Sequence, residues 1–264
     1  MHDYLESEQV STRNKTYRDS GIVIVKHSDK NIFSDLLDLV KSVFVLPDQV
    51  YIEMDTREYR EIILSLQEKT NSLQFNRRIA KSLKGSIQEF IDEEEFLIQS
   101  NTYLRATRPN VSDPESEAIG WHRETFYGPN MERSCNIWTP ILNVSEENSL
   151  RFIPESHKIL DDAIETEHYE EKSNEHGRAS HKIGYPYKPK RILAGVNLNK
   201  QEKMIIPSNS SCIFSGNLIH GAAVNLSNNI RFSTDLRILP KSAYSSKKNK
   251  QFHISSEKPY FEAL

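Results

Sequence analysis

The stretch "IRFSTDLRIL" (230–239) alternates with a period of two, with Arg231, Ser233, Asp235 and Arg237 on one side and Phe232, Thr234, Leu236 and Ile238 on the other. Strand side chains point alternately to opposite faces, so the segment predicts a β-strand with one polar and one mostly apolar face. Runs of similar character, rich in Ile, Val, Phe, Tyr and Trp, begin near residue 95: "FLIQSNTYLRAT" (96–107), "AIGWHRETFY" (118–127), "CNIWTPIL" (135–142), "LRFIP" (150–154), "EKMIIP" (202–207) and "SCIFSG" (211–216). Several short strands between turn signals predict a β-sandwich or barrel.

Upstream the period changes. "GIVIVKHSD" (21–29) reads as one strand, and helical spacings of three and four follow. Ile32, Phe33, Leu36, Leu37, Val40 and Phe44 form the first set, Tyr59, Ile62, Ile63 and Leu66 the second, and Phe75, Ile79, Leu83, Ile87 and Phe90 the third. The 264 residues therefore read as one domain: a mostly helical part over about 1–94, a strand core over about 95–240, and helices packed outside it. The polar segment 161–191 is an insertion that serves either as disordered surface or as an active-site lid.

Charge and composition narrow the function classes. With 34 basic and 37 acidic residues the formal net charge is -3, which gives no broad positive field for a phosphate backbone or an anionic membrane. The N-terminus "MHDYLESEQVSTRNKTYRDS" lacks the apolar segment of a signal peptide, so a cytoplasmic location is expected. Cys135 and Cys212 each sit in an apolar strand-like run and are expected to be buried free thiols.

Three His-x-Asp/Glu pairs occur: His27-x-Asp29, His122-x-Glu124 and His168-x-Glu170. His168 lies in a charge run and His27 where a strand breaks into a helix start, so both read as surface residues. His122 stands between Trp121 and Phe126 on a predicted strand, where residues two apart share a face and can reach one point. A third ligand is needed, and His220 in "GNLIHGAAVN" is the candidate; alone, it reads as a core histidine satisfied by a backbone carbonyl, and the residue pattern around it is what points to a ligand. Two histidines and a carboxylate leave three positions of an octahedral metal open, which suits non-haem Fe(II) binding a cosubstrate and O2. Eleven residues beyond His220 stands Arg231, costly on a strand interior unless paired with an anion. A dicarboxylate would satisfy it by a bidentate contact, with the Ser233 hydroxyl as a second donor.

"WHRE", "NIWTPILNVSEENSLRFIPESHK" and "IPSNSSCIFSGNLIHGAAVNLSNNIRFS" together resemble the phytanoyl-CoA dioxygenase-like family of Fe(II)/2-oxoglutarate-dependent oxygenases, over roughly residues 95–240. The resemblance implies a double-stranded β-helix (a cupin-like jelly roll, mainly β with flanking α) braced by N-terminal helices. It implies iron ligands His122, Glu124 and His220, with Arg231 on the distal carboxylate of 2-oxoglutarate and Trp138 and Asn136 lining the cosubstrate pocket. His157 becomes the family's turn histidine and not a ligand. The chain departs from the family pattern at Glu124, where aspartate is usual, and at Glu155, where the turn usually has glycine; a halogenase would need a small residue at 124.

The implied reaction is hydroxylation of an unactivated C–H bond in a small polar metabolite, such as a sugar, a sugar acid or an amino-acid-derived intermediate. Arg123, Tyr127, Arg105 and Arg237 lie near the predicted mouth as substrate contacts, along with Arg178, His181, Lys182, Tyr185 and Tyr187 of the insertion. Two alternatives stand beside this: a demethylase of alkylated nucleotides or nucleic acid, suggested by the spacing of Arg231 and Arg237, and a non-oxidative cupin-like metal binder. No feature of the residues points to a particular oligomeric state.

Overall fold

The computed structural model describes residues 18–109, 120–127, 131–168, 190–244 and 259–264. Most of the 161–191 insertion, with its five residues named above, lies outside the described residues.

After β1 (Ile22–Lys26) come five helices: α1 (Asn31–Val43), α2 (Asp48–Glu53), α3 (Thr56–Ser72), α4 (Phe75–Ser82) and α5 (Lys84–Ile91). In α1 the buried residues are Ile32, Leu36, Leu39 and Val40, and in α3 they are Tyr59, Ile63, Leu66, Gln67 and Thr70, the stripes expected of helices with one face inward. The Asp55 side chain accepts from the Arg57 amide and caps the start of α3. Polar residues within the buried stripes are tied to strand backbone. Gln67 accepts from the Leu104 amide at 2.8 Å and donates to the Thr102 carbonyl, and the Tyr59 hydroxyl donates to the Ala106 carbonyl at 3.0 Å.

The strands are β2 (Phe96–Gln99), β3 (Tyr103–Thr107), β4 (Cys135–Leu142), β5 (Leu150–Phe152), β6 (Glu165–His168), β7 (Lys190–Ala194), β8 (Glu202–Lys203), β9 (Ser210–Ser215), β10 (His220–Ala222), β11 (Arg231–Pro240) and β12 (Phe261–Ala263). A large sheet runs in the order β1-β9-β4-β11-β2-β12, with β3 also paired to β11, and a smaller one runs β10-β5-β8. The pairings are antiparallel. Alternation along β4, β9 and β11 sorts the large sheet into two faces. Cys135, Ile137, Ile141, Ile213, Phe232, Leu236 and Ile238 pack with the helices in the main core. Trp138, Cys212 and Phe214 turn the other way and meet Leu150 and Phe152 of the small sheet. This is the jelly roll braced by N-terminal helices that the sequence led us to expect, and its two cysteines are buried free thiols.

Two local expectations change. "AIGWHRETFY" is not a continuous strand: His122 forms an isolated antiparallel bridge with His220, and the chain curls into a single 3-10 turn over Glu124–Phe126. Of "EKMIIP" only Glu202–Lys203 is strand. Among the described residues no helix is long and apolar enough to cross a membrane.

Candidate metal centre

The bridge between His122 and His220 is reciprocal, each amide donating to the other's carbonyl at 2.9 Å, so the two residues stand directly opposite each other. Their imidazole centroids are 4.3 Å apart. His122 Nδ1 lies 2.8 Å from the Gly120 carbonyl and His220 Nδ1 lies 2.9 Å from the Leu218 carbonyl. A carbonyl can only accept, so both Nδ1 atoms carry the proton and both Nε2 atoms present lone pairs. That is how a protein fixes the tautomer of a metal-binding histidine. Both histidines are buried, and burial holds both below the ordinary imidazole range, His122 at about 3.

Arg123 has extended backbone angles (φ -135°, ψ 162°), so Glu124 falls on the same side as His122 even though the strand ends there. The Glu124 carboxylate is 1% exposed, with Oε1 3.9 Å from His220 Nε2. Arg237 Nε donates to Glu124 Oε2 at 2.5 Å and Nη2 to Oε1 at 3.3 Å, while Asn136 Nδ2 donates to Oε1 at 2.8 Å. Burial alone would raise this carboxyl; the Arg237 guanidinium and the two imidazoles outweigh it and leave it at about 2. Burial in turn disfavours a charged Arg237, and Glu124 more than compensates, holding it well above the arginine norm. Arg237 is fixed further by the Tyr260 hydroxyl, which accepts from Nη1 at 2.7 Å.

Farther along the inner face of β11, Arg231 is 2% exposed. Its Nη1 donates to the Asn148 carbonyl at 3.2 Å and its Nη2 to Thr107 Oγ1 at 2.9 Å. Burial lowers its pKa to about 10, with Asp235 offsetting part of the effect. Among the described residues its Nε has no partner, and neither do the hydroxyl of Ser233 and Oδ1 of Asn136 on the same inner face. Buried unpaired polar atoms are uncommon and each costs about 1–3 kcal/mol. Two orphaned donors on alternate residues of one strand, one from a guanidinium, fit a carboxylate ligand.

The remaining sequence-derived candidates divide. Trp138 is 1% exposed and packs between the sheets against Phe214 and Phe152. The Tyr127 ring lies 5.8 Å from that of His122 and 5.7 Å from the Arg237 guanidinium. Arg105 donates from Nε to Asp235 at 2.6 Å, both side chains being partly exposed on the inner face. Arg123 is not brought to this group. The extended backbone that aligns its two neighbours turns it away, and it is 1% exposed with bonds to the Ser156 and Ile159 carbonyls and to Asp161.

Two other expectations meet the structure here. His27 is not a surface residue: it is 4% exposed, with Nε2 2.7 Å from Ser211 Oγ and Nδ1 3.3 Å from Ser82 Oγ. His157 stands apart from the centre, its Nε2 2.9 Å from the Arg18 carbonyl. The turn before it keeps a left-handed residue although glycine is missing, since Glu155 has φ 61°; the Lys158 ammonium donates to its carboxylate at 2.7 Å.

His122, Glu124 and His220 are the one group of three or more potential ligands found among the described residues, each buried, with ligand atoms within 4.8 Å of one another. Neutral imidazoles and an ionised carboxylate are the forms a divalent metal requires, so the residues present fit Fe(II).

Solved structures carry the same fold. EvdO2 from Micromonospora carbonacea var. aurantiaca, complexed with 2-oxoglutarate, is 15% identical with a TM-score of 0.60, over 86% of this chain and 89% of its own. The non-heme alpha ketoglutarate dependent epimerase SnoN from nogalamycin biosynthesis is 12% identical with a TM-score of 0.55, over 92% and 89%. AviO1 from Streptomyces viridochromogenes Tue57 is 14% identical with a TM-score of 0.51, over 89% and 96%. No curated protein matches the sequence significantly. The profile of the phytanoyl-CoA dioxygenase (PhyH) family matches residues 49–233, well over half of the sequence, and the chain thus belongs to that family, an enzyme dependent on Fe(II), 2-oxoglutarate and O2.

Proposed function

We propose that this enzyme hydroxylates an unactivated C–H bond of a small, hydroxyl-rich or zwitterionic metabolite, with His122, Glu124 and His220 holding Fe(II). The observation that carries the reading is the convergence of these three buried side chains, the carbonyls of Gly120 and Leu218 leaving the Nε2 lone pairs of both histidines free and the Arg237 fork keeping the Glu124 carboxylate ionised. When bound, Fe(II) with 2-oxoglutarate supplies the oxidising chemistry that no side chain here could provide. The protein's share is orientation and a dry site. Arg231 and Ser233 would hold the distal carboxylate of 2-oxoglutarate with donors that lack partners among the described residues. Asn136 and Arg237 fix the Glu124 carboxylate, and Trp138 and Phe214 form an apolar wall that keeps water out.

The charges beside the centre favour a substrate without net charge. Arg105 is paired with Asp235 and Arg237 with Glu124, so neither offers a free cation to an anionic ligand. Tyr127, beside His122, supplies a ring and a hydroxyl for a sugar-like or amino-acid-like group. The net charge of -3 gives no phosphate-tracking surface and weighs against a nucleic-acid substrate.

The test is O2-dependent conversion of 2-oxoglutarate to succinate with added Fe(II), read for the native chain and for His122→Ala. Uncoupled turnover in the native protein, lost in the variant, is expected. Screening neutral sugars and amino acids against that background should find one that stimulates turnover and gains one oxygen in mass. A stimulating compound that gains no oxygen would replace hydroxylation with an outcome such as the epimerisation in SnoN's name; absent turnover in both proteins would contradict the assignment altogether.

A further inference from the structure

The residue that leads into β12, Tyr260, is linked through Arg237 to the candidate metal centre. β12 pairs antiparallel with β2, Phe261 opposite Gln99 and Ala263 opposite Leu97, as the edge of the large sheet. Ser100 ties its entry down, the amide donating to the Tyr260 carbonyl at 2.8 Å and the hydroxyl to the Pro259 carbonyl at 2.6 Å. Arg77 pairs with Glu262 at 3.0 Å. Tyr260 is 2% exposed and packs with Phe261, Tyr103, Leu239 and Met131. Its hydroxyl oxygen then accepts from Arg237, whose other two nitrogens grip both oxygens of Glu124. An unbroken run of hydrogen bonds thus joins the C-terminal strand to the carboxylate of the triad.

That run answers a question Glu124 raises. Glutamate has one more rotatable bond than the aspartate usual at this place in the family, so its carboxylate must be restrained more firmly to stay on one metal. A forked guanidinium restrains it only while the guanidinium itself cannot turn. The third side of the Arg237 fork is held by Tyr260.

We infer that Tyr260 is a positioning residue of the metal centre, and that the C-terminal strand is a working part of the site. The inference rests on the metal-ligand assignment proposed above. In the 264-residue chain Tyr260→Phe keeps the ring in its pocket and removes the hydroxyl that accepts from Arg237 and that also bonds the Tyr103 hydroxyl. Partners of metal ligands typically contribute 10–100-fold to affinity, so a loss of about 10-fold in Mn(II) affinity is expected, measured by electron paramagnetic resonance of free Mn(II). The melting temperature should stay within a few degrees of native. Ile79→Val, which thins the core between helices and sheet, serves as the comparison: it should lower the melting temperature and leave Mn(II) affinity unchanged.

Deleting residues 259–264 should weaken Mn(II) binding at least as much as Tyr260→Phe. Native-like Mn(II) affinity in a folded Tyr260→Phe, with His122→Ala binding none, would overturn this inference while leaving the metal assignment standing. Equal losses in Tyr260→Phe and Ile79→Val would also overturn it, because the effect would then be one of general stability. If the native chain binds no Mn(II), the assignment beneath the inference fails, and the inference with it.

Discussion

Two buried polar clusters lie on opposite faces of the large sheet, and only one of them is complete. On the helix side, His27 meets Ser211 and Ser82 through its two nitrogens, and Ser211 meets Thr139 at 2.6 Å. Each of these four side chains is bonded to another of the four. On the inner side, Arg231 Nε, Ser233 Oγ and Asn136 Oδ1 have no partner among the described residues, and the Nε2 atoms of His122 and His220 converge with the Glu124 carboxylate. A closed cluster joins elements together. An open one, built from costlier groups, keeps binding capacity for something that is not protein.

The same strand shows the contrast residue by residue. Phe232, Leu236 and Ile238 of β11 are each at most 1% exposed and packed on the helices. Truncating that face should cost stability and spare the chemistry. Phe232→Ala is expected to lose about 3–5 kcal/mol in denaturant unfolding, with the KM for 2-oxoglutarate of the folded fraction unchanged. One residue earlier, the outcome should invert. Arg231→Met removes a buried guanidinium and leaves the Asn148 carbonyl and the Thr107 hydroxyl without that donor, so stability should fall by only about 1–3 kcal/mol, while KM for 2-oxoglutarate rises roughly 100-fold. If Arg231→Met instead unfolds the protein with KM unaltered, the inner face is merely structural and the comparison breaks.

The closed cluster carries a pH signature. Burial lowers the His27 pKa to about 4, against a smaller upward pull from Asp29. The unfolded chain would protonate this group near 6.5, so between about pH 6.5 and 4 the unfolded state binds a proton that the folded state refuses. Stability from neutral His27 is therefore present above that window and is lost as the pH falls through it, on the order of 3 kcal/mol. His27→Gln should be less stable than native at pH 7 and should draw level with it by about pH 4, as followed by melting temperature. A gap that stays constant with pH would mean that His27 is not held neutral.

Much of this was legible in the residues. The period of two in 230–239 placed the apolar and polar sets of β11 on the correct faces, because alternation is a property of the local backbone. The helical stripes of α1 and α3 were legible for the same reason. The pairing of His122, Glu124 and His220 came from spacing and resemblance, and the structure brings the three together by a route that differs from the one read. A bridge and a 3-10 turn replace the strand, yet extended angles at Arg123 keep residues 122 and 124 on one side.

What escaped depended on contacts between distant segments. Nothing near Arg237 signals that a tyrosine 23 positions downstream will bind it, since β12 reaches it only by adding to the far edge of the sheet. Arg123 sits next to two site residues but answers to the loop over 156–161. His27 reads as the end of a strand, and its burial depends on Ser82 and Ser211, which the fold delivers from elsewhere.

The most direct test of the central claim is an anaerobic calorimetric titration of the chain with Fe(II), repeated on His220→Ala. One equivalent bound by the native protein, with affinity falling at least ~100-fold in the variant while its melting temperature stays near native, is the result predicted from the buried triad. Equal Fe(II) affinity in the two proteins would show that the metal lies elsewhere and that the convergence of His122, Glu124 and His220 has another cause.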